Sequence, residues 1–255
     1  QTYRRSPSDA VQVLAERLEA RPSDSARLKL AQICLSTGEN LRARNAEEAL
    51  GFFMDAASLS YRDAVANAHD PTPGKMRLLY NLSSTRAARI LFDSGALAEG
   101  AATVTAPLAV YRVEVGQGGG RTSPSYVDTL VSADHLEMKG LKHVTRIRNP
   151  GLGGRMVGHR TGSEERAIKE PLLHPRAGMA IPLTAIFEFA GSGSEQRVDF
   201  SLYDAHRNSD IEVSGSTAPL ATDFTAPIAL LYNYSERGDI GFKNLKNPLR
   251  DEART

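Results

Sequence analysis

Near residue 102 the spacing of apolar residues changes from one every three or four positions to alternation, so no single repeating element accommodates the whole chain. A recurrence of three to four marks one face of a helix, and a recurrence of two marks one face of a strand. Helices are therefore expected first and sheet second. Ser8 or Asp9 is expected to cap a first helix with Val11, Leu14 and Leu18 on one stripe, stopped before Pro22. A second helix follows Ser23-Asp24, with Leu28, Ala31 and Leu35 in phase and Gly38 placed as a left-handed stop. The third carries the clearest start signal. Asn45 caps, Glu48 answers three residues later, and Ala46, Ala49, Leu50, Phe53, Ala56 and Ala57 form one apolar face. The fourth opens after Pro71-Thr72-Pro73-Gly74, carries Met76, Leu79, Tyr80, Ala87, Ile90 and Leu91, and stops near Gly95.

Beyond residue 102, Ala109, Tyr111, Val113 and Val115 alternate with more polar neighbours, as do Val198, Phe200 and Leu202. Tyr126 to Val131, Lys142 to Arg148, Ile181 to Phe189 and Ile211 to Ser214 are further expected strands. Gly116–Gly120, Gly151–Gly154 and Gly191–Ser194 separate them as turns. Strands that follow one another without long intervening helices favour an antiparallel sheet or sandwich. The expected fold is α+β, an N-terminal helical bundle followed by a mostly antiparallel β-sheet or sandwich. The small residues Ala31, Gly38, Ala49 and Ala57 give the second and third helices the look of one tetratricopeptide-like pair, and a solenoid would need several. This divides the chain into a helical domain at 1–101, a β-rich domain at 102–235 and a polar linker at 236–255.

The search for chemistry yields fragments. The single cysteine, Cys34, excludes an internal disulfide and a cysteine-rich zinc site, and its apolar neighbours predict a buried thiol. No G-x-S-x-G turn of a serine hydrolase occurs, and Gly191-Ser192-Gly193-Ser194 has the wrong spacing and reads as a hairpin loop. Gly116–Gly120 is followed by Arg121-Thr122-Ser123-Pro124 instead of a helix start, which removes a phosphate-cradling role. Two histidine-carboxylate groupings could offer ligands or an acid-base pair: Asp134, His135 and Glu137, with His135 and Glu137 on one side of a strand, and Asp204, His206 and Asp210. Neither brings a third ligand at a familiar spacing, so no metal, cofactor or catalytic residue is assigned. Arg86, Arg89, Arg146, Arg148, Arg155 and Arg160 are expected in ion pairs or on solvated faces. With net charge +1 and no Trp, nucleic acid is not an expected partner.

Longer segments carry more information. Tyr80-Asn81, Gly140 to His143, Asn149 to Gly153, Ile181 to Ala185 and Pro219 to Ala229, taken in that order, resemble the N-terminal region of a group of bacterial exported α/β-hydrolases. Members of that group are lipase- or esterase-like and often predicted lipoproteins. The likeness spans roughly residues 25–245, and the last segment is its most distinctive part. The resemblance implies that a C-terminal hydrolase domain or chain is the partner and carries the oxyanion turn and the Ser, Asp and His of the triad. It implies a periplasmic or outer-membrane location, with the membrane reached only through an upstream lipid anchor, and a non-catalytic accessory role for this chain. The alternatives are a free-standing envelope binding or scaffold module, and an enzyme using one of the two histidine groupings.

Overall fold

In the computed structural model, which describes residues 7–136, 145–161, 178–191 and 193–237 with side chains to Tyr232, the change of period separates two layers. Helices α1 (Pro7–Ala20), α2 (Asp24–Leu41), α3 (Ala46–Ala66), α4 (Lys75–Asp93) and the short α5 (Ala96–Glu99) come first. They are followed by strands β1 (Ala101–Thr105), β2 (Val110–Val115), β3 (Thr129–Ser132), β4 (Arg148–Asn149), β5 (Gly154–Arg160), β6 (Met179–Ala190), β7 (Glu195–Asp204), β8 (Asp210–Val213), β9 (Ser216–Pro219) and β10 (Thr222–Asp223). Helix α6 (Ala226–Arg237) closes the described chain. The fold is α+β, with an N-terminal helical part and a mostly antiparallel sheet.

Six strands pair in the order β1-β2-β7-β6-β5-β3. All neighbours run antiparallel except β2 and β7, which are parallel with Val113 opposite Val198. One face of this sheet presents Tyr111, Val113, Val198, Phe200 and Phe187 to Leu50, Phe53 and Met54 of α3 and Ala88 and Leu91 of α4, in a shared core. Fully burying each large side chain contributes about 1.5–3 kcal/mol, so the helices and sheet stabilise one another. On the opposite face the β2–β7 strip is solvated, and two exposed ion pairs cross it: Arg112 with Glu195 at 3.0 Å and Arg197 with Glu114 at 2.7 Å. Farther along, the β8–β9 hairpin contributes Ile211, Val213 and Ala218 to a second cluster with Ile186, Tyr203 and Tyr61.

Helix starts follow their local chemistry. Ser23 accepts from the Ala26 N–H and Asn45 from the Glu48 N–H, both at 3.2 Å. The first helix instead begins at Pro7, which places Ser8 and Asp9 inside its first turn. Gly38 does not end α2, which continues to Leu41. A Cβ at Gly38 would lie 2.6 Å from a ring carbon of Phe53, so the glycine permits the close approach of α2 and α3 and gives the expected helix pair its contact. Arg77, 1% exposed, joins α3 to α4 by donating to the carbonyls of Asn67, Ala68 and Asp70, at 2.9, 2.5 and 2.5 Å. These groups lie just beyond α3, where helix ends leave acceptors unsatisfied.

Three strand expectations shift. Pro124–Tyr126 forms a 3-10 turn, because Pro124 sets up the turn geometry, and the strand begins at Thr129. Of Lys142 to Arg148, residues 142–144 lie outside the described residues, and among the described residues 145–148 only Arg148 is in a strand. Ser214 lies past β8 with φ of 50°, where it turns the hairpin with Gly215.

Candidate functional site

Four of the five segments that carry the resemblance meet at one place, where β5 begins. Gly140 to His143 lies outside the described residues. Gly154 of β5 pairs with Ala185 of β6, so β6 beyond Ala185 lacks a strand on that side. Tyr80 fills the gap: its hydroxyl donates to Phe187 O at 2.9 Å and accepts from Phe187 N–H at 3.0 Å. That double use replaces the ladder bonds a further strand residue would supply. Burial pushes the Tyr80 phenol well above its ordinary range, so it stays protonated and able to donate.

Asn81, the next residue on α4, holds the chain entering β5. Its Nδ2 donates to Gly151 O at 2.9 Å, and its Oδ1 accepts from Gly153 N–H at 2.8 Å. Between those bonds, Leu152 is gripped from the other side: its N–H donates to Pro219 O at 2.8 Å, and its carbonyl accepts from Ala221 N–H at 2.9 Å. A Cβ at Gly151 would meet the Leu220 carbonyl carbon at 2.4 Å, so glycine is required for this approach. Thr184 of β6 donates to Ala221 O at 2.9 Å.

The most distinctive segment ends in a buried carboxylate. The side chain of Asp223 is fully enclosed, and its Oδ1 accepts from the N–H groups of Thr225 and Ala226, at 3.0 and 2.9 Å. This caps α6. Its Oδ2 accepts from Arg148 Nε at 2.7 Å, with Arg146 Nε 3.8 Å away. Arg146 also donates to the carbonyls of Ala133 and Leu136. Thr225 Oγ1 accepts from Ile147 N–H at 2.8 Å. Asp223 and Thr225 thus both serve backbone donors at a turn, and that turn opens a helix that the sequence reading lacked. Pro227 in the first turn of α6 was its remaining signal.

The described members of the candidate chemical groupings have local partners. His135 lies on the 3-10 turn Ala133–His135 that follows β3, not on a strand; it is exposed, and Glu137 lies outside the described residues. Asp134 pairs with Arg155 at 3.0 Å. Asp204 ends β7 and accepts from His206 N–H at 2.9 Å, closing a turn. The His206 ring lies 5.4 Å from that of Phe224, while Asp210 accepts from Ser209 Oγ. Among the described residues, which include Asp204, His206 and Asp210 but not Glu137, no cluster of three or more metal-ligating side chains occurs. Cys34 is buried with its thiol pushed up by burial and by nearby Asp55, so it is not a reactive thiolate.

The glycine loops behave as loops. Gly191 and Gly193 lie between β6 and β7, with Ser192 outside the described residues. The Gly116–Gly120 loop is stitched to β7 and the turn beyond it by Arg121 on Ser201 Oγ at 2.7 Å and by Asn208 on Gly120 O at 3.2 Å. The remaining arginines are engaged: Arg86 with Glu39 and Arg89 with Asp93, each at 2.6 Å, and Arg160 over the Tyr126 ring at 4.7 Å.

No family model, curated protein or solved structure matches the chain. The site therefore stands on its geometry alone, a polar junction in which side chains of α4, β6 and the 219–225 segment satisfy one another's backbone groups. Asp55 was also missed as a special position. It sits inside the apolar run of α3, and that setting was its signal.

Proposed function

We propose that this chain is a non-catalytic accessory region of an exported α/β-hydrolase, with ester or lipid hydrolysis carried out by a partner domain or chain. The observation that carries the reading is the junction. The segments that resemble such proteins, although separated by up to about 140 residues, converge on one hydrogen-bonded knot from which α6 departs. A knot of this kind gives α6 a defined direction, which an accessory region needs in order to present a neighbouring domain. The engagement of Asp134, Asp204 and Asp210 in local pairings supports assigning the chemistry elsewhere. A free-standing binding module draws support from two exposed apolar side chains beside that helix start, Ile147 at 64% and Ile228 at 60%.

The test is the coding sequence past Thr255 together with copurification from the native source. An in-frame or cotranscribed hydrolase with a G-x-S-x-G serine, bound stoichiometrically to this chain, is the expected result. A natural stop codon with a stoichiometric partner that is not a hydrolase would overturn the reading in favour of the binding module. Hydrolysis of short-chain esters by the purified chain, abolished by His135→Ala or His206→Ala, would overturn both.

A further inference from the structure

Asp55 lies on α3 with no exposure, and among the described residues no arginine, lysine or histidine forms an ion pair with it. Its two oxygens are held separately. Tyr111 OH donates to Oδ1 at 2.9 Å, and Leu108 N–H donates to Oδ2 at 3.1 Å. The groups facing it are the Cys34 thiol from α2, the Tyr111 phenol from β2 and the Leu108 amide from the turn between β1 and β2. All are neutral, since burial and the neighbouring carboxyl push both the thiol and the phenol up. The turn is also where α1 docks. Gln12 Nε2 donates to Pro107 O at 3.2 Å, and the Leu108 side chain packs with Val11, Cys34 and Phe52.

We propose that Asp55, gripped by Leu108 and Tyr111, is a protonation-controlled latch that fastens the β1–β2 turn, and through it α1, to α3. Burial pushes the carboxyl up from 3.8 to about 8, against the opposing pull of the Tyr111 and Leu108 hydrogen bonds. In an opened or unfolded chain the same carboxyl loses its proton in the ordinary range near 3.8. Below that value both forms are protonated and pH has no effect. Between it and about 8 only the closed form keeps the proton, so raising the pH favours opening. Above about 8 both forms are ionised and the loss is complete. The latch is therefore tightest in acid and released as the medium turns alkaline.

Hydrogen–deuterium exchange on the intact chain, corrected for the intrinsic pH dependence of exchange, reads this directly. Protection of Pro7–Ala20 and of residues 103–112 should fall up to about tenfold per pH unit between about pH 6 and about pH 8, then level off. Asp55→Asn should remove that dependence. Tyr111→Phe, which deletes a donor that favours the carboxylate, should keep the dependence and move the levelling-off point to higher pH. Protection that does not change with pH in the wild-type chain would overturn the proposal, as would an Asp55→Asn chain with the wild-type dependence. Should Asp55→Asn fail to fold, a levelling-off point that is unmoved or lowered in Tyr111→Phe would overturn it alone.

Discussion

Replacing Asn81 by alanine tests whether the junction holds the chain by hydrogen bonding or merely by packing. The substitution deletes the bonds to Gly151 O and Gly153 N–H; both glycines are buried, Gly151 against the backbone of Pro219 and Leu220 and Gly153 against β6. Each buried polar group left unsatisfied costs about 1–3 kcal/mol, so the pair should cost roughly 2–6 kcal/mol, with a small further loss from packing. Urea unfolding followed by circular dichroism should show the midpoint lowered with an unchanged slope, because the surface exposed on unfolding is the same. Asn81→Asp sharpens the test. It keeps the acceptor for Gly153 N–H but sets a carboxylate oxygen against the Gly151 carbonyl. Its stability should recover in acid, where the new carboxyl is protonated and can donate to that carbonyl. A loss below about 0.5 kcal/mol for Asn81→Ala would refute the reasoning, since that is the range of an ordinary surface substitution.

Three further substitutions probe separate parts of the frame. Arg77→Lys keeps the charge but not the fork that reaches three carbonyls, and should cost about 2–4 kcal/mol in the same unfolding assay. A lysine variant as stable as the wild type would show that the charge alone suffices. Asp223→Asn retains an acceptor for the α6 cap and loses the pairing with Arg148, which is about a third exposed, so it should cost only about 1 kcal/mol. Asp223→Ala removes the cap as well and should cost about 1–2 kcal/mol more, read as the difference between the two variants. Gly38→Ala forces a methyl against the Phe53 ring and should destabilise by about 1–3 kcal/mol. A stabilised variant would mean that the position does act as a helix interior free of contact.

What the sequence reading recovered is local. The Ser23 and Asn45 caps, the break at the Pro71–Gly74 turn and the alternation of Tyr111 and Val113 are set by neighbours within a few residues, and they survive folding unchanged. Readings failed where the deciding partner is distant. Gly38 carries the signature of a helix stop, yet its environment is set by Phe53 on the next helix. The parallel pairing of β2 with β7 joins positions 85 residues apart, Val110 with Glu195, and alternation alone says nothing about which strand lies alongside. Of the candidate site, the segments were legible as segments but their meeting was not, because the Asn81 bonds span about 70 residues. Asp55 was legible in principle, since a carboxylate amid Phe52, Phe53, Met54 and Ala56 must be either an error of phase or a buried group with partners.

The junction solves one geometrical problem with several side chains. Because β5 starts opposite Ala185, the backbone of β6 beyond that point and the chain running from Gly151 to Gly153 would both be left with buried, unpaired groups. Another β5 residue or two would serve, but the chain bends away there toward β4, which pairs with β10. Tyr80, Asn81 and Thr184 replace the missing ladder with side-chain bonds. That arrangement has a mechanical consequence for the proposed role. A load applied to α6 passes first to the Asp223 cap and Arg148, then through Ala221 to Leu152 and Thr184, and so into the middle of the sheet and onto α4. A helix rooted in this way cannot swing on a flexible hinge without breaking several hydrogen bonds at once, so a partner that docks on its described turns meets the sheet at a fixed angle. A fixed angle matters for orienting a neighbouring catalytic domain and matters little for a module that only captures a loose ligand. This is the physical reason to prefer the accessory reading over the free-standing one.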